Sequence, residues 1–206
     1  MKNKVWYFLI LLVLAACGNN SLEKIEMKED DGSTTRFTRD KETYAKEGLY
    51  TRLGTDGIVM EEANYVNDTL HGVRKLYYPG GKLQIEETYE NGIFQGSFKS
   101  YYENGQVQLE GAYLSNSMEG VWTGYYDGGQ LKEEVNFKNN NENGPFVEYH
   151  QNGKIKTKGT YLDGDNEDGL LELFDENGEL VKTMQCVKRI CRTSWTKEGG
   201  ESRTEK

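Results

Sequence analysis

The fold of this chain is decided by residues 89–105, which read YENGIFQGSFKSYYENG. Aromatic-rich runs alternate here with Asn-Gly turns, and two of the glycines recur along the chain every 24 residues, with 25 before the last copy. The first series is Gly57, Gly81, Gly105, Gly129, Gly153 and Gly178. The second series is Gly48, Gly72, Gly96, Gly120, Gly144 and Gly169. Such a period is the signature of a repeat architecture.

Each unit is predicted to form a β-hairpin. In the connector Glu103-Asn104-Gly105 the glycine comes last, where a type I turn followed by a bulge requires a positive φ. If Tyr78 and Lys82 flank the preceding loop, Tyr77 faces Leu83 across the pair, and alternation makes one face mostly apolar and the other mostly charged. The recurrent glycines are all attributed to turns.

The sequence therefore predicts an all-β fold, an elongated twisted antiparallel sheet of about six tandem 24-residue hairpins spanning residues 48–192. The units start near residues 48, 72, 96, 120, 144 and 169. The composition agrees, because 24 Gly and 14 Tyr among 206 residues suit strands joined by tight turns better than long helices.

Charge narrows the range of partners. With 25 basic and 34 acidic side chains the net charge is −9, which excludes a general nucleic-acid binder, since such a protein needs a basic face for the phosphates. Residues 50–185 hold 11 basic and 23 acidic side chains, a net of −12, so the repeats should repel anionic lipid head groups.

The first residues carry an export signal. Lys2 and Lys4 precede an apolar run from Val5 to Leu14, which is too short for a spanning helix and typical of a signal peptide. The following Leu-Ala-Ala-Cys resembles the lipobox of bacterial lipoproteins, which implies cleavage between Ala16 and Cys17 and acylation of Cys17. An ordinary cleaved signal is the alternative. Residues 1–16 are thus predicted to be a signal peptide, and residues 17–47 the lipidated Cys and a flexible polar tether.

The carboxyl-terminal region contains the other two cysteines, Cys186 and Cys191. In an oxidising compartment a pair this close favours a disulfide that staples the last hairpin, although free thiols and a metal or redox role remain open. Residues 193–206 are predicted to be a basic disordered tail that could fold back on the acidic repeats.

Candidate chemical sites are few. The acidic turn at residues 163–168 lacks the Gly and Glu that an EF-hand loop requires, so it is expected to be a solvated loop without a metal. His150 occupies a tyrosine column and should pack at the surface. We expect no catalytic residues, no cofactor and no metal, and therefore no enzyme.

One set of aromatic residues could be a binding stripe for a protein or a sugar. It comprises Phe98, Trp122, Phe146, Tyr102 and Tyr126. In the predicted register this stripe lies on the second face of the sheet, and the alternatives are that both faces are partly covered or that a shift of one residue makes the stripe core.

The pattern from Tyr89-Glu90-Asn91-Gly92 through Glu103-Asn104-Gly105 resembles the bacterial variant of the MORN repeat, with YwqK-type proteins, catalogued as antitoxins of toxin–antitoxin systems, among the relatives. The resemblance implies a scaffold without catalytic residues. Together with the lipobox it favours a lipid-anchored, non-enzymatic binding or scaffolding module of the bacterial cell envelope, facing the periplasm or the exterior. The expected partners are a membrane, through acylated Cys17, and a protein or glycan; self-association through open sheet edges is also open. The alternative is an antitoxin that neutralises a partner toxin.

Overall fold

The computed structural model describes residues 21–201, which form one antiparallel sheet of 17 strands. Strands follow one another across the sheet in chain order, with β5 and β6 both paired to β4. The strands are β1 Leu22–Lys28, β2 Thr34–Asp40, β3 Lys46–Leu53, β4 Val59–Val66, β5 Thr69–Leu70, β6 Gly72–Tyr77, β7 Leu83–Glu90, β8 Ile93–Tyr101, β9 Val107–Leu114, β10 Ser117–Tyr125, β11 Leu131–Lys138, β12 Asn141–Tyr149, β13 Ile155–Tyr161, β14 Gly169–Phe174, β15 Leu180–Val187, β16 Ile190–Thr196 and β17 Gly200–Glu201. The predicted all-β sheet of tandem hairpins is confirmed.

Two kinds of turn alternate along the array and give the sheet two different edges. At the edge that we call the Gly-turn edge, Gly105 has a φ of 88° and its N–H donates to the Tyr102 carbonyl at 2.8 Å. At the opposite edge, which we call the two-residue-turn edge, the connection is made by pairs such as Asn91-Gly92, with φ values of 50° and 78°. Positive φ at both positions is the requirement of a type I′ turn.

The second glycine series does not lie in turns, so that part of the prediction is wrong. Gly120 has a φ of 72° inside strand β10, where the pairing with β9 shifts between Glu119 and Thr123. These glycines therefore form β-bulges, which sharpen the local twist of the strand. The register prediction, in contrast, is confirmed, because Tyr77 pairs with Leu83 and Tyr101 with Val107.

The predicted flexible tether is corrected for most of its length. Residues 22–28 and 34–40 form β1 and β2, which pair over seven residues, and Phe37 stacks on Tyr50 of β3 at a ring-centroid distance of 6.4 Å. Thr35 is buried, with 5% of its surface exposed. The physical reason is that the first repeat offers an unpaired strand edge, so a segment with too few apolar residues for its own core can still be ordered by backbone pairing.

The predicted disordered tail at residues 193–206 is also corrected, because its first part is ordered by backbone pairing. Residues 193–196 belong to β16, and residues 200–201 form a short strand against it. The Lys197 N–H donates to the Val181 carbonyl at 3.0 Å, and its ammonium group pairs with Glu179. The basic segment thus folds back on the acidic repeats at least as far as residue 201.

Candidate binding surfaces

The two faces of the sheet have different chemistry. We call one the aromatic face; it carries Phe98, Trp122 and Phe146 beside the tyrosines of the second strands, such as Tyr113 and Tyr161. We call the other the charged face; on it lie ion pairs between neighbouring strands, such as Lys99 with Glu110 at 2.8 Å.

The predicted binding stripe is largely core. Trp122 and Phe146 are only 2% and 3% exposed, whereas Phe98 is half-buried. The Trp122 ring lies against the backbone of Gly111, where an added Cβ would sit 2.3 Å from the ring, and Phe146 lies in the same way on Gly159. Rings that lie flat on glycines are buried by their neighbours in the same layer, so these side chains are not an accessible surface.

Tyr102 and Tyr126, the other members of the predicted stripe, hold consecutive repeats together. The Tyr102 hydroxyl donates to the Tyr125 carbonyl at 2.8 Å, and Tyr126 donates to the Tyr149 carbonyl at 2.7 Å. Tyr78 makes the same bond to Tyr101 at 2.7 Å. His150 continues this series with a ring-nitrogen contact of 3.0 Å to the Phe174 carbonyl, which is the packing position predicted for it.

The charged face carries a set of residues that sequence reasoning missed, which we call the tyrosine–carboxylate ladder. In each rung a first-strand tyrosine donates its hydroxyl to a glutamate of the preceding repeat, 15 residues earlier. The rungs are Tyr77–Glu62 at 2.6 Å, Tyr125–Glu110 at 2.7 Å and Tyr149–Glu134 at 2.8 Å. The available signal was the recurrence of Glu three residues before four of the second-strand aromatic positions, Tyr65, Tyr89, Tyr113 and Phe137. A charged column on a sheet surface is normally interpreted as solvated.

The ladder shifts the acidity of its members. The hydrogen bond to Glu110, together with burial, raises the pKa of Tyr125 to about 12. The hydrogen bonds from Lys99 and Tyr125 lower the pKa of Glu110. Burial and the hydrogen bond to Glu62 likewise raise the pKa of Tyr77 to about 12.

We expect Glu110→Gln to lower the pKa of Tyr125 from about 12 toward its usual 10, because the carboxylate that opposes tyrosinate formation is removed. A raised tyrosine pKa stabilises the fold below the unfolded-state pKa, and this contribution is lost as the pH rises through the folded-state value. The measurement is an ultraviolet titration of tyrosinate, with Tyr125→Phe to identify the group and the exposed Glu103→Gln as control. An unchanged Tyr125 titration in Glu110→Gln would contradict the assignment.

An ion cluster interrupts the aromatic face in the second complete repeat. Arg74 stands where the later repeats have Phe98, Trp122 and Phe146, and its guanidinium donates to Glu61 at 2.6 Å and to Glu87 at 2.8 Å. Burial acts to lower the pKa of Arg74, but these hydrogen bonds outweigh it and raise the pKa. Glu87 is buried, at 6% exposure, and also accepts the Tyr89 hydroxyl at 3.0 Å.

The other predicted sites within the described residues form contacts that stabilise the fold. Cys186 and Cys191 face each other across β15 and β16 and are joined by a disulfide. In the acidic turn Asp165 pairs with Arg189, and residues 21–201 contain no cluster of three metal-ligating side chains. Cys17 and the Ala16–Cys17 bond lie outside the described residues. Within the described range no helix is long and apolar enough to cross a membrane.

The comparison with protein families agrees with this geometry. The MORN repeat variant matches the chain four times, at residues 70–91, 94–114, 118–139 and 142–163. A solved structure, that of the "GtfA/B complex bound to UDP and GlcNAc", is similar at 13% identity over 56% of this chain, with a TM-score of 0.25. The chain spans 22% of that protein's length. A TM-score this low does not establish a shared fold or function. None of the curated proteins matches.

The chain therefore contains four MORN repeat variants, and the sheet extends the same hairpin pattern beyond them on both sides. Repeats of this type suggest a binding module.

Proposed function

We propose that this protein is a lipid-anchored, non-enzymatic repeat module of the bacterial cell envelope that binds a protein or glycan partner. The proposal rests on the tyrosine–carboxylate ladder, which lies on a sheet built from MORN-variant hairpins, a repeat type that suggests a binding module. Half-buried tyrosine rings offer stacking surface, and the carboxylates beside them can accept hydrogen bonds from sugar hydroxyls or from Lys and Arg of a protein.

The repetition of the ladder strengthens the proposal. The Tyr125 and Tyr149 rungs are two strands apart, roughly 10 Å at the usual strand spacing, and the Tyr77 rung lies four strands from the Tyr125 rung. A partner with a repeated or extended surface would therefore engage several rungs at once, so that individually weak contacts sum to a useful affinity. The net charge of −12 over residues 50–185 favours a neutral or basic partner over an anionic one.

The anchoring part of the proposal rests on the amino-terminal sequence. The lipobox resemblance assigns acylation to Cys17, and β1 begins at Leu22, only five residues later. Five residues span at most about 18 Å, so an acylated Cys17 would keep the first strand near the bilayer surface instead of on a long tether. More than one acyl chain would make that attachment stable.

We expect membrane fractionation and intact-mass analysis to find a species that starts at Cys17 and carries acyl mass. The Cys17→Ser variant should lose that mass and fail to be processed at Ala16–Cys17. A soluble, unmodified protein that retains Met1 would contradict the anchor, and the antitoxin function would then be the one to test.

The binding part needs a separate measurement. Solubilised envelope proteins and purified cell-wall glycans should be retained by the wild-type protein and released by Glu110→Gln combined with Glu134→Gln, with Glu103→Gln as the matched control. Equal retention by all three proteins would show that the ladder is not the binding surface.

A further inference from the structure

The first strand of the sheet has an unpaired side. β1 pairs with β2, and no other strand within residues 21–201 pairs with its outer side. Hydrogen bonds beyond its two ends show which of its residues bond to β2: the Lys41 N–H donates to the Ser21 carbonyl at 2.8 Å, and the Glu29 N–H donates to the Ser33 carbonyl at 2.9 Å. Because bonded and non-bonded pairs alternate in an antiparallel ladder, the odd-numbered residues of β1 bond to β2 and the even-numbered ones direct their N–H and C=O outward. The outward residues are Leu22, Lys24, Glu26 and Lys28.

The side chains of these outward residues carry charges of both signs. Glu26 pairs with Arg36 of β2 at 2.8 Å, whereas Lys24 and Lys28 form no ion pair with any residue in the described range. Charged residues on an edge strand usually hinder pairing with another chain. An edge with both signs still favours a strand whose charges run in the opposite order, since opposite charges across a strand pair are stabilising and like charges destabilising.

A second copy of β1 has its charges in that order. When two copies run antiparallel about a two-fold axis at Ile25, Lys24 lies opposite Glu26 of the second copy, and Leu22 lies opposite Lys28, whose aliphatic stem can cover it. The four outward residues of each copy then form four pairs with two backbone hydrogen bonds each, about eight in all. A shift by two residues leaves three pairs and sets Lys24 against Lys24 or Glu26 against Glu26. Larger shifts leave two pairs or fewer.

The opposite face of β1 is compatible with the same register. Ile25 lies opposite Ile25 of the second copy, at a non-hydrogen-bonded position, where facing side chains are closest. It is half-buried and pairs directly with Phe37, so the second isoleucine continues the apolar row where the sheet ends. Met27, which is 45% exposed, comes opposite Glu23 of the second copy, whose carboxylate already accepts a hydrogen bond from Arg39 at 2.8 Å.

We infer that β1 binds β1 of a second copy, so that two sheets join edge to edge into one continuous antiparallel sheet. A two-fold interface must be self-complementary, and only this register pairs all four outward residues without like charges in direct opposition. The two-fold axis is perpendicular to the sheet, so both charged faces point to the same side and both tyrosine–carboxylate ladders stay accessible. The seven residues per copy are fewer than the roughly 20–30 of a standard interface, so we expect a reversible dimer.

The first test uses cysteine cross-linking in the full chain, in cells and under mild oxidation. Ile25→Cys should form a disulfide-linked dimer by itself, because the Cα atoms of a non-hydrogen-bonded pair are about 4.5 Å apart, within disulfide range. Glu23→Cys and Met27→Cys should each fail alone and cross-link when both are present, because they meet only each other. The unchanged chain gives the background from its own cysteines, and Glu103→Cys, on an exposed turn, gives the rate of random collision.

The second test changes charge in the Ile25→Cys background. Lys24→Glu alone and Glu26→Lys alone should each lower the cross-linking yield by at least about tenfold, because each places like charges in direct opposition at two symmetric positions. The double exchange should restore the yield. The exposed Arg36–Glu26 pair is lost in both Glu26→Lys and the double exchange, so its loss cannot explain a restored yield.

The third test removes an outward backbone donor in the same background. Lys24→Pro deletes the N–H that points away from β2, a position where an edge strand tolerates proline. Its ring would also obstruct a paired strand, so the cross-linking yield should fall well below that of Lys24→Ala, which loses the same charge. Circular dichroism should show an unchanged sheet in both variants.

Four results would overturn the inference. They are cross-linking of Ile25→Cys no better than that of Glu103→Cys, its cross-linking to a protein of different mass, a double exchange that does not restore the yield, and a Lys24→Pro yield equal to that of Lys24→Ala. The second of these would assign the free side of β1 to a different partner. None of them depends on whether Cys17 is acylated or on what the ladder binds.

Discussion

Replacing Trp122 by Ala should lower the free energy of unfolding by about 3–5 kcal/mol, the usual cost of removing a large aromatic side chain from a core. Trp122 is 2% exposed and contacts Phe98, Tyr113 and Phe137, with ring-centroid distances of 5.4, 5.1 and 6.1 Å. A single-layer sheet has no second layer that could move in to fill the space. Chemical denaturation followed by circular dichroism measures the loss, and Tyr44→Ala, at a ring that is 61% exposed, is the control.

Two further variants separate packing from other effects. Trp122→Phe should cost much less, because Phe146 occupies the equivalent place in the next repeat and because the indole N–H of Trp122 has no hydrogen-bond partner within residues 21–201. Gly111→Ala should destabilise the wild type through its clash with the ring, yet be nearly neutral in the Trp122→Ala background. Additive effects of the two changes would contradict the flat packing of Trp122 on Gly111.

The sequence alone predicted the array of hairpins correctly, but it did not predict which face of the sheet is buried. Turns such as Glu103-Asn104-Gly105 are local, so their residues determine their geometry without reference to the rest of the chain. Which side of a single-layer sheet becomes core depends on contacts between repeats, such as the ring of Trp122 on the backbone of Gly111. The glycines at 111 and 159, directly inside strand patterns, were the available signal, since glycine within a strand often marks a close approach.

The ends of the sheet could not be predicted from composition for a related reason. β1 and β2 contain too few apolar residues to order themselves, and their stability depends on an edge supplied by β3. The tyrosine–carboxylate ladder was not predicted for the same reason, because its hydrogen bonds join residues that are 15 apart and lie in different repeats. Non-local pairing of this kind becomes visible only when the register is known.

Replacing Arg74 by Leu should cost about 3–5 kcal/mol, because it leaves the carboxylates of Glu61 and Glu87 buried together without their cation. Their side chains are only 17% and 8% exposed in the wild type, so water cannot replace the guanidinium. Arg36→Leu is the matched control, because Arg36 and Glu26 form an ion pair that is 55% and 62% exposed and is expected to contribute at most about 1 kcal/mol.

The decisive variant is the triple change Arg74→Phe, Glu87→Gly and Glu61→Ile, which copies the directly paired Phe98 and Gly111 of the next repeat together with Ile85, the counterpart of Glu61. It should recover most of the stability that Arg74→Phe alone loses, because a buried ion pair replaced by well-packed apolar groups is often neutral or stabilising. The ion cluster would then serve to select the correct pairing of repeats during folding. Every other repeat has an uncharged residue at the Arg74 position, so a hairpin that paired one repeat out of place would leave Glu87 without a cation. Refolding yield measures this second effect. If the triple variant is as stable as the wild type and also refolds with the same yield, the ion cluster has no role in register.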